Sequence, residues 1–78
     1  MSILKLHEAI AIILLSKPGR IASTDEIASE INFRGLYTQR DGSPVTSSQI
    51  KLRSKLSNGQ YHHLFEWVEP NFVRLRNL

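Results

Sequence analysis

The sequence contains no cysteine. That absence excludes a disulfide framework, a thiolate zinc site and a cysteine nucleophile, and it leaves the redox compartment unread. Long apolar runs are also missing. The longest, AIAIILL from Ala9 to Leu15, falls far short of the roughly 20 residues needed to cross a bilayer. Neither the small-residue cleavage site nor the polar stretch of an export signal follows it. The chain is therefore expected to be soluble, unexported and cytoplasmic, with no membrane partner. Aromatic residues are few at 8%, whereas 41% hydrophobic and 22% charged residues of mixed sign fit a folded domain better than a disordered chain. Seventy-eight residues supply apolar surface for one core and no room for an enclosed active site, so residues 1–78 are read as a single domain.

The net charge is only +3, and its distribution says more than its size. Residues 1–33 set Lys5, Lys17 and Arg20 against Glu8, Asp25, Glu26 and Glu30. Residues 34–55 set Arg34, Arg40, Lys51, Arg53 and Lys55 against Asp41 alone, a local excess of +4. After that, Arg74 and Arg76 balance Glu66 and Glu69. A basic excess gathered in one segment is the electrostatic footprint expected for a polyanion; a solvated charged face is the plainer alternative.

In chain order, Ile3, Leu6, Ile10, Ile13 and Leu14 recur at spacings of three and four, which predicts a helix over residues 3–16 ended by Lys17-Pro18-Gly19. Ser23 with Glu26 three residues on forms a capping-box pattern for a second helix to about Phe33, its buried side given by Ile27, Ala28 and Ile31. The intervening RIA can form a minimal strand. YTQRDGSP is rich in turn residues, and a third helix should start near Thr46 with Gln49 reaching back to the cap. On a helical wheel Val45, Leu52 and Leu56 lie within about 40° of one another and read as its inward stripe, which leaves Ile50, about 160° from Leu52, on the outward or wing-facing side. HLFEWV and FVRLR, separated by Glu69-Pro70-Asn71, read as a β-hairpin with Pro70 at the second position of a type I turn. Alternation puts Arg74 and Arg76 on one face and Val73 and Leu75 on the other. Phe65, Trp67 and Phe72 are core candidates.

Three helices followed by a hairpin predict an α+β fold: a winged helix-turn-helix with three helices plus a C-terminal antiparallel β-hairpin wing. The third helix would enter the major groove of double-stranded DNA. About twelve residues separate the second and third helices, which excludes a strict three- or four-residue turn.

The residue strings also carry a likeness. DEIASEINFRGLY followed by SPVTSSQIKLRSKL resembles the HARE-type helix-turn-helix family. It is most similar to the small members associated with restriction endonucleases. Four motifs bear this out in register: Gly35-Leu36-Tyr37, Asp41-Gly42-Ser43-Pro44, Gln49-Ile50 with Arg53 shifted by one position, and Tyr61-His62-His63-Leu64-Phe65. The likeness runs from about Ile3 to Leu75. It implies a winged helix that binds DNA as a module of, or partner to, a nuclease or other DNA-acting protein in restriction-modification or transcription, and it implies no catalysis by this segment.

Candidate contacts follow from residue type. Gln49 can pair with adenine and Arg53 with guanine, each contact giving about 1–3 kcal/mol of discrimination; alternatively Gln49 belongs to the cap and Arg53 is a solvated helix charge. Ser47 and Ser48 suit a phosphate oxygen or are ordinary first-turn polarity. Lys51, Lys55 and Arg40 suit phosphates, each neutralised phosphate giving a slope of about −0.9 in log affinity against log salt. Arg74 and Arg76 add to these or lie on a solvent-facing strand. A metal site on Tyr61, His62, His63 and Glu66 is rejected, because adjacent histidines on a strand point apart. No metal or cofactor is expected. Glu66 with Glu69 and Asp25 with Glu26 are the acidic pairs to weigh as catalysts, and with nothing nearby to shift or enclose them no catalytic residue is assigned. The rival function is a protein-protein interaction module using the same helix surface, favoured by an outward Ile50 and a weakly charged wing.

Overall fold

The computed structural model describes residues 4–56 and 63–76. Ile3, Tyr61, His62 and the side chain of Leu56 lie outside the described residues. The order is α1 (Leu6–Leu15), β1 (Ile21–Ser23), α2 (Thr24–Arg34), α3 (Ser47–Lys51), β2 (Phe65–Val68) and β3 (Phe72–Leu75). From Leu52 to Leu56 the last helix continues as a π-helical turn. The strands form one antiparallel sheet in the order β1-β3-β2. The architecture is a small α+β domain of three helices and a three-stranded antiparallel sheet.

Helix α1 buries Leu6, Ala9, Ile10, Ile13 and Leu14, the face its spacing predicts. Ile10, Ile13 and Leu14 are completely enclosed, and each such side chain contributes about 1.5–3 kcal/mol relative to exposure. They meet Ile27, Ala28 and Ile31 of α2, Ile50 of α3, and Phe65, Val73 and Leu75 of the sheet in one core. Pairing of Ile21 with Arg74, and of Glu66 with the same Arg74, puts those three residues on the outer side of the sheet. Val73 and Leu75 alternate onto the core side.

The α2 start follows half of the expected box. Ser23 accepts from the Glu26 backbone N–H at 3.1 Å, but the Glu26 carboxylate goes to Lys17 at 2.6 Å because an ion pair with the α1 terminus outcompetes a return to the cap. Lys17 also pairs with Glu30, and Glu30 with Arg34 at 3.1 Å, so one ammonium ties the end of α1 to two turns of α2. At the other end Gly35 takes φ 64, and the Gly35 and Leu36 N–H groups return to Asn32 and Ile31 carbonyls at 3.3 and 3.1 Å. This is a Schellman closure, which only a residue without a Cβ enters cheaply.

Two expectations are overturned. Ile50 is fully buried and Leu52 is 54% exposed, the reverse of the wheel. Val45 precedes the cap residue Thr46, so it is not helical and its angle cannot phase the helix. As the residue before the cap it pairs with the fourth helical residue, Ile50, in a hydrophobic staple, and both belong to the core. Phe72 is 39% exposed rather than core, since it falls on the outer parity of β3. The Glu69-Pro70 peptide between β2 and β3 is cis.

Candidate nucleic-acid interface

Where α3 stands relative to α2 is set by the connection between them. Asn32, on the last turn of α2, donates through Nδ2 to the Val45 carbonyl and accepts through Oδ1 from the Val45 N–H, both at 2.9 Å. One amide thereby satisfies both backbone groups of the residue just before the α3 cap. Within the connection, Gln39 Nε2 donates to Ser43 Oγ at 2.9 Å and to the Pro44 carbonyl at 2.7 Å. Asp41 accepts from the Ser43 N–H and hydroxyl at 3.0 and 2.6 Å, and the Ser43 hydroxyl is the main reason its carboxyl is held below the usual range. The twelve residues between the helices thus form a latched loop that does the positioning of a short turn.

Thr46 caps α3 as expected. Its hydroxyl accepts from the Gln49 N–H at 3.4 Å and its own N–H donates to Gln49 Oε1 at 3.0 Å. Gln49 Nε2 then donates to Gln39 Oε1. The side chain is therefore occupied at both ends in the cap and loop, and base contact by Gln49 would require it to leave them. Ser47 is half-buried and Ser48 exposed at the helix start. Ser54, 2% exposed, donates to the Ile50 carbonyl at 2.7 Å; such back-bonding goes with the widened winding from Leu52 onward.

The cations of the helix divide. Lys51 and Lys55 are one turn apart on one face, their Nζ atoms 5.8 and 5.1 Å from the centroid of the Trp67 ring, within reach of cation-π attraction. Trp67 in turn donates its indole N–H to both oxygens of Glu69 at 2.9 and 3.0 Å. Lys55 lies 3.7 Å from Glu69. That indole hydrogen bond, followed by the two lysine charges, holds the Glu69 carboxyl below its usual range. The result is a ridge of two ammonium groups on an aromatic platform. Arg53, two residues from Lys51 and so about 200° around an α-helix from it, lies instead within electrostatic range of His7 on α1. Burial is the main cause that lowers the His7 pKa, with Lys5, Arg53 and His63 also contributing.

Arg40 is exposed on the loop. Arg74 is on the outer side of the sheet, its Nε and Nη2 donating to one Glu66 oxygen at 3.0 and 2.7 Å, which holds the Glu66 carboxyl low. Arg76 follows β3 on the same parity and is exposed. Since Trp67 occupies the opposite parity to Glu66, the two arginines and the lysine ridge lie on opposite faces of the sheet. The site thus brings together Ser48 and Lys51, exposed on α3, and Lys55, half-buried on the turn that continues it, and leaves Arg53, Arg74 and Arg76 elsewhere.

Sequence reasoning missed Asn32, Gln39, Trp67 and Glu69 as the residues that hold this ridge. The lysines at i and i+4 beside a lone tryptophan were visible as a pattern, but strand parity was needed to join them. No helix among the described residues is long and apolar enough to cross a membrane. Comparison with protein-family models, curated proteins and solved structures finds no match for this chain.

Proposed function

We propose that this chain is a winged-helix module that binds double-stranded DNA, with α3 in the major groove, Lys51 and Lys55 on phosphates, and the β2-β3 pair as the wing. The observation that carries the reading is the lysine ridge: two ammonium groups one turn apart, Lys51 exposed at the end of α3 and Lys55 half-buried on the turn that continues it, both beside Trp67. The order of helices and strands, the sheet order β1-β3-β2 and the likeness to HARE-type sequences support it further. Ser48 and Arg40, both exposed, would add backbone contacts, and a nuclease or another DNA-acting protein, which the likeness implies, is the proposed partner.

Fluorescence anisotropy of a labelled duplex, titrated between about 50 and 200 mM salt, tests the proposal, because each phosphate contact contributes about −0.9 to the log–log slope. Lys51→Ala with Lys55→Ala should weaken binding and flatten that slope by about 1.8. Binding that ignores salt, or a double variant with an unchanged slope, refutes it.

A second reading, a protein-interaction module, draws on Leu52, which is 54% exposed next to Lys51. Ile50 is enclosed in the core and offers such a partner nothing. Leu52→Ser should hurt a protein partner more than Lys51→Ala does, and a DNA surface should show the reverse order.

A further inference from the structure

Across α3 and the turn that continues it, Ser48, Lys51, Leu52 and Lys55 recur at steps of three and four, which confines them to about 100° of the helix surface. Ile50 and Ser54, both buried, occupy the opposite side. Ser48, Lys51 and Leu52 are exposed and Lys55 is half-buried. Leu52 is the apolar member of this stripe, 54% exposed. Taking α3 to lie in the major groove of DNA, on which this step rests, we infer that Leu52 is its base-selective residue. It makes apolar contact with the C5-methyl group of thymine and so directs the module to A·T pairs.

The chemistry of the neighbouring side chains leads to Leu52. Gln49, a residue type suited to adenine, is held by the Thr46 N–H and by Gln39. Arg53, a type suited to guanine, stands about 200° around the helix from Lys51. Lys51 and Lys55 give affinity for the phosphate backbone and carry no sequence information. The Ser48 hydroxyl both donates and accepts, so it fits any base. Of the four residues in the stripe, Leu52 discriminates, because an apolar side chain gains from a methyl group and gains nothing from the amino and carbonyl edges of a G·C pair.

Its position fits the same role. Leu52 lies about 100° around from Lys51 and about 60° from Lys55, while both ammonium groups lean towards Trp67, at 5.8 and 5.1 Å from its ring centroid. Cations that follow one phosphate strand turn the adjoining side of the helix towards the groove floor, where the thymine methyl projects. The winding also widens into a π-helical turn from Leu52 onward, a departure that recurs at functional sites.

Fluorescence anisotropy with two labelled duplexes tests the assignment. One is an alternating A·T duplex, which offers thymine methyl groups at every step so that register is immaterial. The other is the same duplex with deoxyuridine in place of every thymidine, so the two differ only by those methyl groups. The parent should bind the thymine duplex about fourfold more tightly, the change that one buried methyl group gives. Leu52→Ala should bring that ratio to about one, and Leu52→Met, which keeps an apolar contact, should preserve it. Lys51→Ala with Lys55→Ala should weaken both duplexes alike and leave the ratio unchanged. Equal binding of the two duplexes by the parent overturns the inference and leaves DNA binding itself standing. A preference that survives Leu52→Ala also overturns it, since the methyl groups would then act through duplex shape or another side chain. Failure to bind either duplex removes the DNA-binding reading and this one with it.

Discussion

Replacing Asn32 by alanine removes the amide that joins α2 to the start of α3. Two hydrogen bonds of 2.9 Å to Val45 are lost, and each contributes about 0.5–1.5 kcal/mol net of water. The gross loss is therefore about 1–3 kcal/mol. Alanine returns about 0.5 kcal/mol through its better helix propensity, and water reaches the vacated groups in part, since Asn32 as a whole is exposed. The expected cost is about 1–2 kcal/mol, which in a domain of this size lowers the unfolding midpoint by about 4–8 °C per kcal/mol. Urea and thermal unfolding, followed by fluorescence of the one tryptophan, measures it. Asn32→Asp sharpens the test. It keeps an acceptor for the Val45 N–H but turns a second carboxylate oxygen on the Val45 carbonyl, so at neutral pH it should cost at least as much as alanine. If Asn32→Ala stays within about 0.5 kcal/mol of the parent, the range of an ordinary surface change, the connection is held by something other than this amide.

The remaining predictions concern the core and pH. Ile50→Ser should cost at least the 2–5 kcal/mol typical of about this much truncation in a core, with the hydroxyl adding to it, because Ile50 is fully enclosed; Leu52→Ser should stay within about 0.5 kcal/mol. Equal effects in a denaturant series refute the phase assigned to α3. Acid should weaken the fold in two stages. His7 is pushed below 6.5, chiefly by burial, so the unfolded chain takes up its proton first and stability begins to fall below that pH. Glu30, Glu66 and Glu69 are held below 4.5, chiefly by Lys17, Arg74 and the Trp67 indole respectively. Their contribution is present above that value and is lost as pH falls through it and on to the lower folded-state values. Glu69 is exposed and Glu30 and Glu66 are partly so, and solvent screens all three, so the second stage should be shallow. A thermal midpoint that rises on acidification from neutrality would falsify this assignment.

Much of this architecture is written locally. The face of α1, the Ser23 and Thr46 caps and the parity of β3 each depend on residues within a few positions of one another, and each appears where its spacing places it. The phase of α3 differs from the wheel for an equally local reason: a cap at Thr46 puts Val45 outside the helix, so its angle does not count, and both Val45 and Ile50 belong to the core. The residue type of Phe72 suggests the core, while its parity, opposite to Val73 and Leu75, sends it outward. The Asn32 clasp and the seat of Lys51 and Lys55 on Trp67 join residues 13 and 16 positions apart, from Asn32 to Val45 and from Lys51 to Trp67. No periodicity encodes such pairs, because they exist only once the sheet has set its order.

The lysine ridge shows what this long-range assembly adds to a bare charge count. A free lysine side chain carries about 2 kcal/mol of rotamer entropy, much of which is lost when its ammonium is fixed on a phosphate. Trp67 lies within cation-π reach of Lys51 and Lys55, so on the proposed reading part of that loss would be met before DNA binds, as preorganised contacts generally allow. Glu69 works in the other direction: 3.7 Å from Lys55, it competes with a phosphate for the same ammonium. Glu69→Gln should then strengthen duplex binding through the removed carboxylate, whereas Trp67→Leu should weaken it by releasing both lysines. Anisotropy at fixed salt separates the two effects. A tighter complex from both variants would mean that the platform restrains the lysines away from DNA, and the ridge would then be no template for the phosphate backbone.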